Sequence, residues 1–223
     1  MPPSKLFAIG TSLLLLAGQA ALAGPDWVES GDAGSILPSA QQTLGSGSIN
    51  SISGNLGGAS FVPDFEDMYL VRVLNPLAFS MTITGASFDA QMFVFNVTLA
   101  GEAFGLLAND NTIFGNQPVL GPLASDGTGA ALKFPGVYAI AISGAGRVPV
   151  SLNGPIFNFA SPTEISGPDG PGGLNPHIGW TGVGQSGEYT LQVTGVGFYE
   201  VPTPGSSALL IGAAIAAGRR RRR

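Results

Sequence analysis

Carboxylate and amide side chains recur in short turns beside apolar runs: Asp64, Glu66, Asp67, Asp89, Asn109, Asp110 and Asn111. Hard oxygen ligands of this kind are what a calcium ion collects, about six to eight at a time. Asp64, Glu66, Asp67, Asp89, Asn109 and Asp110 are therefore candidate calcium ligands. Asp and Asn also close turns through their own backbone, and no spacing here fits an EF-hand loop, so both uses stay open. Trp180 and Tyr189 are candidate glycan contacts, because an aromatic face can stack on a sugar.

Other chemistry has fewer of its parts. Paired carboxylates hydrolyse glycosides when about 5 to 9 Å apart, a separation that sequence does not reveal. His177 is the single histidine, close to Trp180. A Ser-His-Asp triad would need it, together with a nucleophile elbow that the chain lacks. With no cysteine, a zinc site would depend mainly on carboxylates. Gly182-Val183-Gly184-Gln185-Ser186-Gly187 carries the letters of a dinucleotide fingerprint. A strand pattern follows it and no βαβ unit precedes it, so it reads as a loop. Asn96-Val97-Thr98 matches a glycosylation sequon inside a strand-like run and is discounted.

The elements that must hold these residues are strands. Glycine (34 residues) and proline (17) punctuate short apolar runs, and almost no window carries a helical stripe, which points to an all-β sandwich or barrel. Met68 to Val73 alternates, with Tyr69, Val71 and Val73 on one face. Further strands are expected over Ser48–Leu56, Ala78–Thr84, Ala90–Phe95, Ala130–Phe134, Val137–Ser143 and Gly187–Val193. Residues 24–47 read as a linker, 48–200 as one sandwich domain, and 144–183 as a long Gly/Pro-rich insertion within it. A loop of that length is functional or ordered by something bound.

The two ends are addressing signals. Lys5 precedes an apolar run from Leu6 to Ala17, and Ala21-Leu22-Ala23 forms a cleavage site that would leave Gly24 as the first residue. Export machinery and signal peptidase are the partners this implies. At the other end, Val201-Pro202-Thr203-Pro204-Gly205 leads into a short apolar run and then Arg219, Arg220, Arg221, Arg222 and Arg223. A helix from Gly205 to Gly218 would rise only about 21 Å, short of a hydrocarbon core about 30 Å thick.

Such a span suits a temporary anchor, and the arrangement resembles the PEP-CTERM sorting signal of Gram-negative and related bacteria. Pro202-Thr203-Pro204 stands where that family has Pro-Glu-Pro. The resemblance implies processing by an exosortase-like transpeptidase and delivery to the outer surface or extracellular matrix, with transient or stable membrane anchoring through the tail.

Between the signals lie roughly 180 residues, enough for one domain with a core. Only Arg72, Lys133 and Arg147 oppose all 14 acidic residues there, a net of −11. Such a body repels nucleic acid and suits cations, or simply solubility in salt water. No disulfide framework supports it, as cysteine is absent.

The strand order also resembles the bacterial pre-peptidase C-terminal domain, a small sandwich, over roughly residues 48–195. The matching residues are Asp67-Met68-Tyr69, Phe88-Asp89, Met92 to Phe95, Asn109-Asp110-Asn111, Pro135 to Ile142 and Gly187 to Leu191. That resemblance implies a jelly-roll-like accessory or binding module, some relatives of which bind calcium. The expectation is an exported, non-catalytic, structural or adhesive protein of the envelope or exopolysaccharide matrix, in contact with glycans. The competing expectation is a secreted hydrolase that uses its carboxylates.

Overall fold

Alternation along a single strand explains the layering of this protein. In the computed structural model, which describes residues 26–57 and 64–199, β4 (Glu66–Val73) sends Tyr69, Val71 and Val73 to one side and Met68 and Leu70 to the other. Both sides are buried, so the strand reads as a nearly continuous apolar run.

The same holds for β6 (Ala90–Val97) and β9 (Gly136–Gly144). Met92, Val94, Ile140 and Ile142 face one core, and Phe93, Phe95, Ala139 and Ala141 face a second. With β7 (Ala103–Asn109) and β14 (Val196–Phe198), they form a sheet in the order β14-β4-β9-β6-β7.

A second sheet packs on its inner side. It comprises β1 (Trp27–Val28), β3 (Ser51–Leu56), β5 (Ser80–Thr84), β8 (Val119–Leu120) and β13 (Gly187–Thr194), in the order β1-β3-β13-β5-β8. Here alternation is clean: Tyr189, Leu191 and Val193 are buried while Glu188, Gln192 and Thr194 face water. The architecture is all-β and sandwich-like. Among the described residues there is no α-helix, and no helix long and apolar enough to cross a membrane.

Residues expected to form a linker instead add sheet. β1 pairs in parallel with β3, β2 (Gln41–Gln42) pairs in parallel with β4, and Ala33 between them and Thr43 just after β2 are fully buried. The insertion is likewise ordered. β10 (Val148–Ser151), β11 (Gly154–Pro155) and β12 (Gly179–Thr181) make a small sheet in the order β11-β10-β12. Its segment covers the outer face of the β4 sheet with Ile156, Phe157 and Trp180. Gly105 permits that approach, since a Cβ there would collide with Ile156 and sit 3.0 Å from the Phe157 ring.

The expected strand at Ala130–Phe134 is reduced to one bridge between Leu123 and Ala131. The cleavage residues Ala21, Ala23 and Gly24, and the tail residues Val201 to Gly205 and Arg219 to Arg223, lie outside the described residues.

Candidate cation-binding site

Asp67 sits near the start of β4 on its inward-facing side, in step with Tyr69 and Val71. It is 0% exposed. Tyr189, which points inward from β13, donates its hydroxyl hydrogen to Asp67 Oδ2 at 2.6 Å. The Tyr69 and Tyr189 hydroxyls lie 2.7 Å apart. With the Tyr189 hydrogen given to the carboxylate, Tyr69 donates to Tyr189. Gly54 of β3 provides the room: a Cβ there would collide with the Tyr189 hydroxyl and lie 2.7 Å from that of Tyr69. Gly54→Ala is therefore expected to lower stability by about 1–3 kcal/mol, the usual range for overpacking a core. A fall in the urea midpoint would register it.

One oxygen of this Tyr69–Tyr189–Asp67 relay is left over. Asp67 Oδ1 is buried and has no hydrogen-bond partner. Burial pushes the Asp67 carboxyl up to about 8; the Tyr189 hydrogen bond opposes that shift, and the charges of Glu29, Asp64 and Asp32 add to it. One carboxylate oxygen each from Asp32, Asp64 and Asp67 lie within 4.8 Å of one another. Burial, and next the charge of Asp32, raises Asp64 to about 6. Glu29 closes the group, its carboxylate accepting from the Ala33 backbone at 3.0 Å and the Asn55 backbone at 2.8 Å. Burial raises its pKa as well. Glu29, Gly31, Asp32, Asn55, Gly57 and Asp64 line a hollow of about 270 Å³ beside it.

Three carboxylates so close are unfavourable unless protons or a cation separate their charges. All the converging donors are hard oxygens, the set that suits calcium and offers nothing a zinc ion prefers. The orphaned Oδ1 fits a calcium ion held by Asp32, Asp64 and Asp67.

The structure divides the ligands expected from sequence. Asp64 and Asp67 come together, joined by Asp32 and Glu29 from the supposed linker. Glu66 points to the opposite face of β4 and pairs with Arg147, Nε to Oε2 at 2.9 Å and Nη2 to Oε1 at 3.1 Å. Both of its oxygens accept from the Arg147 guanidinium. Asn109 is also spent inside the protein. Its Nδ2 donates to the Asn111 and Glu164 carbonyls at 3.0 and 2.7 Å, and its Oδ1 accepts from the Val119 backbone at 2.8 Å. Asp89 and Asp110 lie elsewhere, beside β6 and β7.

The aromatic candidates are mainly internal. Tyr189 is 2% exposed. Trp180 donates its indole N–H to the Ser35 carbonyl at 2.5 Å and packs edge-on against Phe93 and His177. His177 is buried, and burial lowers its pKa to about 4. Gly182 to Gly187 leads straight into β13, which is strand context and not a nucleotide loop.

Glu29 and Asp32 were missed because an aperiodic acidic stretch looks like any solvated linker; the one hint was Glu29-Ser30-Gly31-Asp32, an acid pair around a glycine. No protein-family model, no curated protein and no solved structure matches this chain.

Proposed function

We propose that this chain is an exported, surface-sorted, non-catalytic module of the cell envelope or exopolysaccharide matrix, whose sandwich is stiffened by calcium. The observation that carries the reading is the Asp32–Asp64–Asp67 cluster with its orphaned, buried Oδ1. It joins the start of the domain to β4, and extracellular modules hold calcium with Kd values of about 10⁻⁴–10⁻³ M.

The address comes from the sequence: a removable signal ending at Ala23, and a PEP-CTERM-like tail from Val201 to Arg223 that forms a C-terminal hydrophobic helix until an exosortase-like enzyme removes it. We read the sandwich as jelly-roll-like and akin to the pre-peptidase C-terminal domain. Its partner is an envelope glycan or exopolysaccharide.

The hydrolase reading draws on the same acids. Asp67 is sealed behind Tyr189 at 0% exposure, which leaves a substrate no route to the carboxyl with the highest pKa among them. Intact-mass and terminal-peptide mapping of the protein from its own host tests the address. The expected chain starts near Gly24 and ends near Pro204 or Ser207, with the arginines gone. A chain that retains Arg223 in the membrane fraction contradicts sorting, and turnover of a glycan that ends with a single Asp replacement contradicts the non-catalytic role.

A further inference from the structure

A second group of oxygens lies where β6 begins and β7 ends. Glu66 of β4 and Gln91 of β6 both pair with Ser143 of β9, so the two strands begin at the same level. Gln91 alternates with Phe93 and Phe95, whose rings face the outer core, whereas Asp67 faces the inner one. Asp89 stands two residues before Gln91, and Asp110 and Asn111 follow β7, whose last residue pairs with Met92. A turn closed by a Thr112–Gly115 bridge then brings Gln117 back.

The side chains of these residues are oriented by the protein. Gln117 donates its Nε2 to the Phe88 carbonyl at 2.9 Å, and Asn111 its Nδ2 to Asp110 Oδ2 at 3.1 Å. Burial raises the Asp110 pKa, the charge of Asp89 adds to the rise and Gln91 opposes it. Asn111 and Gln117 therefore each turn an N–H to a protein acceptor and leave the amide oxygen unpartnered. What remains is Asp89 Oδ1, Gln91 Oε1, Asp110 Oδ1, Asn111 Oδ1 and Gln117 Oε1, all buried and all without a hydrogen-bond partner. Gln91 itself is 4% exposed.

Buried acceptors without donors are costly one at a time, and these five are carried by the start of β6, the end of β7 and the turn that follows it. A cation answers all of them at once. We infer that Asp89, Gln91, Asp110, Asn111 and Gln117 form a second calcium site, which clasps the start of β6, the end of β7 and the 112–117 turn. Two carboxylates balance the charge of a divalent ion, and three neutral amide oxygens complete most of a calcium shell. Magnesium keeps several waters and seldom uses an all-protein cage, while zinc would look for nitrogen or sulfur. Asn109 is a positioning residue here: its bonds to the Asn111 carbonyl and the Val119 backbone fix both ends of the turn. The inference is independent of the Asp67 cluster, since the two ligand sets share no residue.

Calorimetric titration of the full chain with calcium alone tests it, comparing wild type with Asp110→Asn, Gln117→Met and Asp67→Asn. Wild type is expected to take up two ions. Asp110→Asn should lose one of them and keep the step that Asp67→Asn removes. Gln117→Met, at a half-buried turn position, should weaken the same step at least tenfold. Wild-type stoichiometry and affinity in both Asp110→Asn and Gln117→Met would overturn the second site, even with the Asp67 step intact. Loss of a step in Asp110→Asn but none in Asp67→Asn would support the second site and overturn the first.

Discussion

Calcium is expected to raise the melting temperature of the wild-type chain, and by more at pH 8 than at pH 5. Without the ion, burial holds the Asp67 carboxyl at a pKa of about 8 against an ordinary value of 3.8, and Asp64 at about 6. A carboxyl whose pKa is raised by folding contributes stability that is complete below its unfolded pKa and is lost as pH rises through the folded one. The ion-free protein should therefore weaken between pH 4 and pH 8, as protons leave a group faced by Tyr189, Tyr69, Glu29, Asp32 and Asp64.

Calcium must displace those protons, so its binding strengthens over the same window. At a calcium concentration of about 100 Kd the gain is about 2.7 kcal/mol. For a chain of this size that corresponds to roughly 5 to 10 °C. Asp67→Asn keeps the shape and a hydrogen-bonding partner for Tyr189 but cannot ionise, so it should flatten the slope and abolish the Asp67-linked response. His177 contributes in the opposite sense, since its folded pKa of about 4 lies below 6.5 and its contribution is lost as pH falls between them. That term is common to both proteins, so the difference between their curves isolates Asp67. An ion-free wild type whose stability climbs from pH 5 to pH 8 in parallel with Asp67→Asn would contradict the account.

The second large effect is expected at Glu66. Its carboxylate, with a side chain 8% exposed, meets the Arg147 guanidinium, whose side chain is 24% exposed. Arg147 also donates Nη1 to the Gly182 carbonyl at 2.9 Å and lies 5.9 Å from the centre of the Phe65 ring. This one cation thus fastens the end of the insertion to the start of β4. Removing only the carboxylate charge leaves a half-buried guanidinium unpaired, and Glu66→Gln should cost about 3 kcal/mol. Taking both charges away in Glu66→Gln/Arg147→Met should recover part of that loss, because an apolar replacement of a buried pair is often close to neutral. Urea unfolding of the two single variants and the double reads this directly. A double variant as weak as the sum of the singles would mean that the pair carries no coupling.

Strand identity was legible wherever a residue repeat followed the pleat. Met68 to Val73, Ala90 to Phe95 and Gly187 to Val193 became β4, β6 and β13 almost to the residue. β7 was not legible, because a bulge lets Val94 pair with Leu107 and Phe95 with Gly105, so Leu106 and Leu107 both turn inward and the alternation breaks. β1 and β2 are two-residue strands whose pairing is supplied by β3 and β4 and not by any pattern of their own.

The candidate ligands were legible as a type of residue but not as a set. Period two on β4 sends Glu66 and Asp67 to opposite sides of the sheet, so neighbours in sequence part company in space. Asp32 and Asp67, far apart in the chain, meet only through the pairing of β1 and β2 with the two sheets. The unpartnered oxygens of Gln91, Asn111 and Gln117 left no mark in the sequence, because an amide gains meaning as a ligand only when its N–H groups are already engaged.

Terbium luminescence tests the central claim most directly, since Tyr69 and Tyr189 stand beside Asp67 and can sensitise a lanthanide bound in place of calcium. On excitation of tyrosine, wild type should give terbium emission that calcium competes away, and Asp67→Asn should give little. Emission of equal strength from Asp67→Asn, or none from wild type at millimolar calcium-competitive concentrations, would contradict a cation site at the Asp32–Asp64–Asp67 cluster.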